Sequence, residues 1–385
     1  MNKPFFDSHS HVVTKVRKGL AESLSGTDLI RQFDGLHPIE IRSAFIAANR
    51  LDLVEAVFGS ISVNLPYLHE ITREDNPILS FWPFTRATAL KLAKLTAGFS
   101  SIGLLGAPTL FNLLKQERPR GDVFLFDRDD YLFRQETFPS FVKCDVAGGL
   151  PDMFNASFEV IIGDPPWYLD DYAAWLRTAR RLVKEGGIVI FVLFPEGVRE
   201  TARDERKAIL SLASELFTEC SVEENIVDYE TPSFEQVQMV VNGIKPVNWR
   251  RAGLVTGRVG LRERMEASST VRQSGEWTER RMGSGRIFIK ADPAQTAGQF
   301  LETADATSRF LSSPSRRNPG RLRANVMSSR GHGLSCADPA RLVEIIDNMK
   351  SPSDIEAIDG TMEGQSRNLL REVVFELWPR FIQVC

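Results

Sequence analysis

The tetrapeptide Asp164-Pro165-Pro166-Trp167 carries the residue types needed to hold an amino nitrogen. A carboxylate and a proline carbonyl can both accept hydrogen bonds from an NH2 group, which turns the nitrogen lone pair toward an electrophile. Two consecutive prolines fix φ and supply carbonyls without competing N–H donors. The indole of Trp167 offers a face for a base or a cation. The tetrapeptide directly follows an apolar run at 158–162, so it falls at the carboxyl end of a strand. Doubly wound sheets bind ligands at that edge. The competing reading is a proline-rich turn with an incidental tryptophan.

Two acids upstream end similar runs. Asp127 follows the run 123–126 and can accept both ribose hydroxyls of a nucleoside cofactor. Asp145, after the short run at 141–142, can reach an adenine edge. An Asp after a strand is as readily a helix cap or a turn residue. The order of the two acids ahead of 164–167 is what points to a ligand. The first turn, Gly106-Ala107-Pro108-Thr109, is not a G-x-G-x-x-G, which argues against a nicotinamide enzyme. No G-x-x-x-x-G-K-[ST] occurs, which excludes a P-loop nucleotidase.

These residues need a sheet to position them, and the chain supplies its rhythm. Apolar runs at 101–105, 123–126, 141–142, 158–162 and 188–194 alternate with helical spacing at 109–116, 172–184 and 203–217. Such alternation predicts a parallel, doubly wound α/β sheet. Runs at 224–229 and 236–244 are expected to pair as antiparallel edge strands. Upstream, 1–75 reads as mostly helical, with one helix over 39–58 closed by Gly59, and a further helix over 87–97. Downstream, 251–270 has little period, 283–289 reads as a strand, and 304–330 reads as loop or linker. Helical spacing returns over 339–382, and no internal repeat is present.

Composition bounds the class. The chain has 385 residues, 43% hydrophobic and 25% charged, enough for two or three domains with full cores. No run of 18 apolar residues is present, so a membrane-spanning helix is not expected. The four cysteines (Cys144, Cys220, Cys336, Cys385) form no C-x-x-C pair, and a reducing cytoplasm is the default expectation. The net charge of -3 hides an asymmetry: residues 245–330 hold 17 Lys and Arg against 7 Asp and Glu. That stretch is either the footprint of a polyanion such as nucleic acid or a solvated arginine-rich surface.

A family resemblance emerges from these motifs. Phe81-Trp82-Pro83-Phe84-Thr85, Thr88-Ala89-Leu90 and the run from Gly103 to Phe111 resemble the family of probable N6-adenine methyltransferases. Phe126-Asp127-Arg128-Asp129, Cys144-Asp145 and Gly163-Asp164-Pro165-Pro166-Trp167 continue that resemblance in order. The family includes lysine methyltransferases acting on elongation factor 1-alpha and is related to zinc-knuckle adenine methyltransferases of ribosomal RNA. The resemblance implies a Rossmann-like class I methyltransferase sheet using S-adenosylmethionine. It implies that Trp82, Thr85, Gly106, Ala107, Pro108, Asp127 and Asp145 line the cofactor site. It implies that Asp164, Pro165, Pro166 and Trp167 hold the acceptor nitrogen. Two departures stand out: Pro83 looks inserted, and Trp167 replaces the usual tyrosine or phenylalanine. The organisation expected is a helical N-terminal region (1–75), a methyltransferase domain (76–245), and a basic linker with a helical extension (246–385).

The function expected is methyl transfer to an amino nitrogen. The basic stretch and Trp167 tilt it to N6 of adenine in RNA or DNA, with protein lysine as the alternative acceptor. A base in a duplex would have to be flipped out, and a lysine would first have to lose its proton. A degenerate methyltransferase fold serving as a binding module is a further alternative; the presence of Asp127, Asp145 and 164–167 argues against it. Aminopropyl transfer would call for extra acids in the first turn, and 106–108 has none. His9-x-His11 resembles a first metal motif, but only His37, His69 and His332 remain and none ends an apolar run, so no metal is expected. His332 lies in a polar glycine-rich stretch read as a flexible connection, no Ser-His-Asp arrangement stands out, and Trp175 and Trp277 read as packing residues.

Overall fold

The computed structural model describes all residues except 1–8, 34, 60–70, 72, 80, 118–121, 131–138, 261–276, 295–297, 306–307, 358–361, 363 and 379–385. The chain divides into two compact units. One comprises 1–60, 82–231 and 247–272; the other comprises 61–81, 232–246 and 273–385.

The first unit opens with helices α1 (His9–Ala21), α2 (Gly26–Arg31), α3 (Pro38–Ala47) and α4 (Leu51–Phe58). The expected single helix over 39–58 is two. Asn49 adopts φ 52 and breaks the run, a conformation asparagine tolerates better than most residues. Then follow α5 (Arg86–Leu95), β1 (Ser101–Leu105), α6 (Pro108–Glu117), β2 (Asp122–Asp127), β3 (Phe141–Lys143) and β4 (Phe158–Gly163). The unit continues through α7 (Leu169–Leu182), β5 (Val183–Leu193), α8 (Ala202–Leu216) and β6 (Thr218–Asp228). Helix α9 (Ser233–Val241), in the second unit, separates these from β7 (Arg251–Arg258), which returns to the first.

The seven strands run in the order β3-β2-β1-β4-β5-β7-β6. Strands β1 to β5 are parallel, and β7 is antiparallel to both β5 and β6. The chain winds outward from β1 to β3, then restarts at β4 on the other side of β1. The carboxyl ends of β1 and β4 therefore flank the switch point where such sheets open a crevice. This is the Rossmann-like class I methyltransferase sheet expected from the sequence. Phe158, Ile161, Val189 and Phe191 of the sheet pack with Tyr172, Trp175, Leu176 and Leu182 of α7 and Ile209 and Ala213 of α8. Both faces of the inner strands are covered, so these strands read as continuous apolar runs.

The edge pair differs from expectation. Residues 236–244 supply helix α9, because Phe234, Val237 and Val240 recur at helical spacing and Glu235 sits in the first turn. The partner of β6 is instead β7, whose Ala252 to Val255 are all buried between β5 and β6. Its small and polar residues, Gly253, Thr256 and Gly257, interrupt the apolar run that marks the other inner strands.

The second unit holds β8 (Trp277–Met282), β9 (Gly285–Lys290), β10 (Leu301–Thr303), α10 (Pro319–Arg323), β11 (Val326–Ser328), β12 (Gly333–Cys336), α11 (Pro339–Asn348) and α12 (Gly364–Leu377). Its five strands are antiparallel in the order β10-β12-β11-β9-β8. Ile287, Ile289, Val326 and Leu334 of the sheet share a core with Leu342 and Ile346 of α11 and Leu370, Val373 and Val374 of α12. The stretch 304–330, expected to be a linker, contains the central strand β11. Three residues are too few to show a period amid Ser and Arg. Among the described residues, no helix is long and apolar enough to cross a membrane.

Candidate active site

Three strand ends build the site. Gly106 follows β1 with φ 62, its N–H donating to the Phe126 carbonyl of β2 (3.0 Å). The Asp164 N–H, after β4, donates to the Leu105 carbonyl (3.0 Å). The turn after β1 is thus tied to both neighbours. A Cβ on Gly106 would stand 2.6 Å from the Trp175 ring and 3.2 Å from the Asp164 carbonyl oxygen. Only glycine fits this cradle, by conformation and by space. Ala107 is buried and Pro108 opens α6, where its missing N–H costs nothing. We expect Gly106→Ala to lower stability by about 1–3 kcal/mol and to weaken S-adenosylmethionine binding. Thermal melting and calorimetric titration would test this; a variant with unchanged melting temperature and affinity would show that the turn tolerates the extra carbon.

Asp127 and Asp164 lie at the ends of β2 and β4, on either side of that turn. Each keeps a partial opening to solvent, yet protein encloses it enough to cost most of its hydration. Burial pushes each carboxyl up to about 7. The Asp129 N–H donates to Asp127 Oδ1 (2.9 Å) and opposes the rise. Tyr229 donates its hydroxyl to Asp164 Oδ1 (2.7 Å), and the Arg250 charge acts in the same direction, while the Asp127 charge raises Asp164 further. The charge at the end of β2 thus reaches the acid at the end of β4.

Asp145 caps a short 3-10 turn (Val146–Gly148), its Oδ1 accepting from the Ala147 N–H (3.1 Å), and its other oxygen faces Arg128 at 3.6 Å. The Cys144 thiol beside it is pushed up to about 12 by burial and by the Asp127 and Asp145 charges. Thr85 caps α5 through its hydroxyl, which accepts from the Thr88 N–H (3.2 Å). That hydroxyl is engaged in the helix start.

The residues around Asp164 form an aromatic cluster that sequence reasoning only half found. The Thr85 N–H donates to the Asp228 carbonyl (3.0 Å), the Glu230 N–H to Pro83 (2.8 Å), and the Tyr229 N–H to Arg250 (3.1 Å). Three segments thus lie side by side and present Trp82, Tyr229 and Arg250 together. The Arg250 guanidinium lies 4.1 Å from the Trp82 ring centroid and 3.6 Å from that of Trp167. Trp167 also meets Tyr229 (6.0 Å, edge-on) and Phe194 (5.9 Å). Trp82 meets Trp249 edge-on at 5.7 Å, and Trp249 meets His37, the N-cap of α3, at 5.0 Å. Pro165 is buried, and the Pro166 carbonyl accepts from the Tyr168 N–H (2.7 Å). Tyr229 and Arg250 had no motif to mark them: one directly follows β6, the other precedes a strand with no visible period.

Other candidates fall elsewhere. Trp175 packs in the core under Gly106, and Trp277 packs in the second unit, with Arg321 over its ring at 4.7 Å. His332 is not on a flexible connection. It is buried in the β11–β12 turn, stacked on Phe310 at 4.7 Å. Its Nδ1 lies 2.6 Å from Ser328 Oγ and its Nε2 lies 2.7 Å from Glu376. In this serine-histidine-glutamate chain, unforeseen in the sequence, Ser328 and His332 are buried and Glu376 is half-buried, and Ser328 Oγ also accepts from the Arg330 and His332 N–H groups (3.2 and 3.3 Å). It closes a hairpin. The side chains of His9 and His11 lie outside the described residues, as do His69 and Cys385. Among the described residues no group of His, Cys, Asp or Glu is arranged to hold a metal.

Residues 75–241 match the model of the family described as "Probable N6-adenine methyltransferase", under half of the chain. No curated protein matches the chain. Solved structures with a similar fold include the branched-chain polyamine synthase of Thermus thermophilus, in complex with N4-aminopropylspermidine and 5'-methylthioadenosine. It is 14% identical, covering 71% of this chain and 97% of that one, with a TM-score of 0.46. The N-methyltransferase NodS of Bradyrhizobium japonicum WM9 is 14% identical over 49% of this chain and 99% of its own, with a TM-score of 0.31. Phosphoethanolamine N-methyltransferase 2 of Haemonchus contortus, in complex with S-adenosyl-L-methionine, is 14% identical over 46% and 53%, with a TM-score of 0.31. These likenesses are too distant to carry a substrate. The residues present fit the cofactor: an acid ends β2, the position from which a nucleoside ribose is held, beside the turn after β1. The match over 75–241 to the probable N6-adenine methyltransferase family supports an S-adenosylmethionine-dependent N-methyltransferase.

Proposed function

We propose that the enzyme methylates N6 of adenine in RNA or DNA. The observation that carries this reading is the Asp164 carboxylate, at the end of β4 and bonded to Tyr229, whose ring Trp167 meets edge-on. When bound, S-adenosylmethionine supplies the electrophilic methyl group. Asp127 would hold its ribose, and the turn Gly106-Ala107-Pro108 would approach it closely, with Asp145 and Trp82 at the margins. Asp164 and the Pro165 carbonyl accept hydrogen bonds from the exocyclic NH2 and orient its lone pair. Protein around the two acids strips much of their hydration, so such contacts are stronger there than in solution. Trp167, half-buried and carrying Arg250 over its ring, puts an aromatic and guanidinium surface beside Asp164's partner Tyr229. The site supports the reading more than overall charge does: Arg251, Arg258, Arg280, Arg286, Lys290, Arg309 and Arg330 of the basic stretch each pair with a carboxylate. The test is transfer of tritiated methyl groups from labelled cofactor into fractionated nucleic acid and protein. Label in N6-methyladenine is expected; label in protein lysine would replace this acceptor with the other.

Asp164 orients an NH2 group best when ionised, because protonation weakens it as an acceptor and adds a competing O–H donor. Because burial raises it and Asp127 together, activity should fall as pH drops through about 7, the limb belonging to the pair. Tyr229→Phe removes a bond that favours the Asp164 carboxylate. We expect the acid limb of the rate profile to move up by about one pH unit, with the plateau rate largely kept. A profile that loses its plateau without moving would make Tyr229 something other than a positioning residue for Asp164.

A further inference from the structure

We propose that Arg250 sets the acceptor class at this site, admitting a neutral planar base and excluding a protonated alkylamine. The proposal rests on the acceptor reading above and deepens it. Arg250 lies outside the segment that matches the family model, so the feature belongs to this chain's own C-terminal sequence. Its position is fixed from the backbone: its carbonyl accepts from the N–H of Tyr229, the residue whose hydroxyl holds Asp164. Its guanidinium lies over both Trp82 and Trp167, the rings clustered with Tyr229 beside Asp164. The charge reaches Asp164 and helps keep it ionised.

A guanidinium is charged at any accessible pH. An alkylammonium drawn toward Asp164 would therefore be repelled by a fixed like charge acting at the same carboxylate. A base NH2 carries no charge and meets no such barrier. The planar guanidinium also extends the indole surfaces, and bases stack on arginine planes as they do on aromatic rings. A lysine here would keep the charge and lose the plane. The aromatic residues alone would make a good cation cage; Arg250 already occupies their faces with a cation of the protein's own.

The experiment uses the full chain saturated with S-adenosylhomocysteine, so that the cofactor's own nucleoside pocket is filled. Tryptophan fluorescence follows titration with adenosine 5'-monophosphate and, separately, with n-butylammonium chloride. The wild type should bind the nucleotide and discriminate against the amine. Arg250→Met should narrow that preference by about tenfold or more, and Arg250→Lys should still repel the amine while weakening the nucleotide. Arg250→Gln, planar and uncharged, serves if the methionine variant fails to fold, judged by circular dichroism. A folded, uncharged variant that discriminates as the wild type does would overturn the role of Arg250 and leave the adenine reading standing. Wild-type labelling of lysine in the methyl-transfer assay would overturn the adenine reading itself, whatever preference the variants show.

Discussion

Asp164→Asn is expected to lower the rate of methyl transfer by about 100- to 1,000-fold while S-adenosylmethionine still binds. The carboxylate is the acceptor best placed to fix the nitrogen lone pair, and an amide in its place presents one oxygen and one unwanted donor. Its position does not depend on the side chain, because the Asp164 N–H is anchored on the Leu105 carbonyl and two prolines follow. The turn that faces the cofactor should therefore survive. Single-turnover transfer of labelled methyl groups, alongside calorimetric titration of the cofactor, separates the two effects. Loss of cofactor affinity equal to the loss of rate would move Asp164 from the acceptor to the cofactor. Stability gives an independent reading. Burial raises the folded-state pKa of Asp164 above its unfolded value, so the native state binds the extra proton between about pH 4 and 7. Wild-type stability should fall as pH rises through that window. The asparagine variant carries no such penalty, so it should melt above the wild type at pH 8, with the gain shrinking toward pH 4.

The parts legible in the sequence were those whose local chemistry leaves a mark. Strands β1, β2 and β4, buried on both faces, stood out as apolar runs, and the acids after them marked the ligand edge. Strand β7 left no such mark: its Ala252 and Gly253 are small, and its burial comes from β5 and β6 on either side, a tertiary fact. Helix α9 resembles a strand in its sequence because valines and Met239 crowd it; their three- to four-residue spacing outweighs β propensity. The same tertiary dependence explains the site. Asp127, Asp164 and Trp167 were found through position after a strand. Tyr229 and Arg250 were not, because what brings them to Asp164 is the pairing of segments 82–85, 228–230 and 250–251, far apart in the chain. The hydroxyl of Thr85 and one oxygen of Asp145, expected on the cofactor, also do the local work of capping that their residue types do best.

Asp127→Ala is expected to weaken S-adenosylmethionine binding by about 1–3 kcal/mol, about 5- to 150-fold, the cost of leaving ribose hydroxyls without their acceptor. The pH dependence identifies the cause. Asp127 is pushed up to about 7 by burial, so below that pH it holds a proton and cannot accept from both hydroxyls. Wild-type affinity should therefore fall as pH drops from 8 to 6. Above pH 7 binding finds the carboxylate already ionised; below it, binding must expel the proton, and the measured enthalpy should vary with the ionisation enthalpy of the buffer. In Asp127→Ala most of both dependences should vanish, with the small remainder carried by Asp164, whose charge interacts with Asp127. Calorimetric titration at pH 6, 7 and 8 in two buffers measures all of this at once. Affinity that is unchanged by the substitution, with the pH slope intact, would take Asp127 out of the cofactor site and leave its burial without a ligand to explain it.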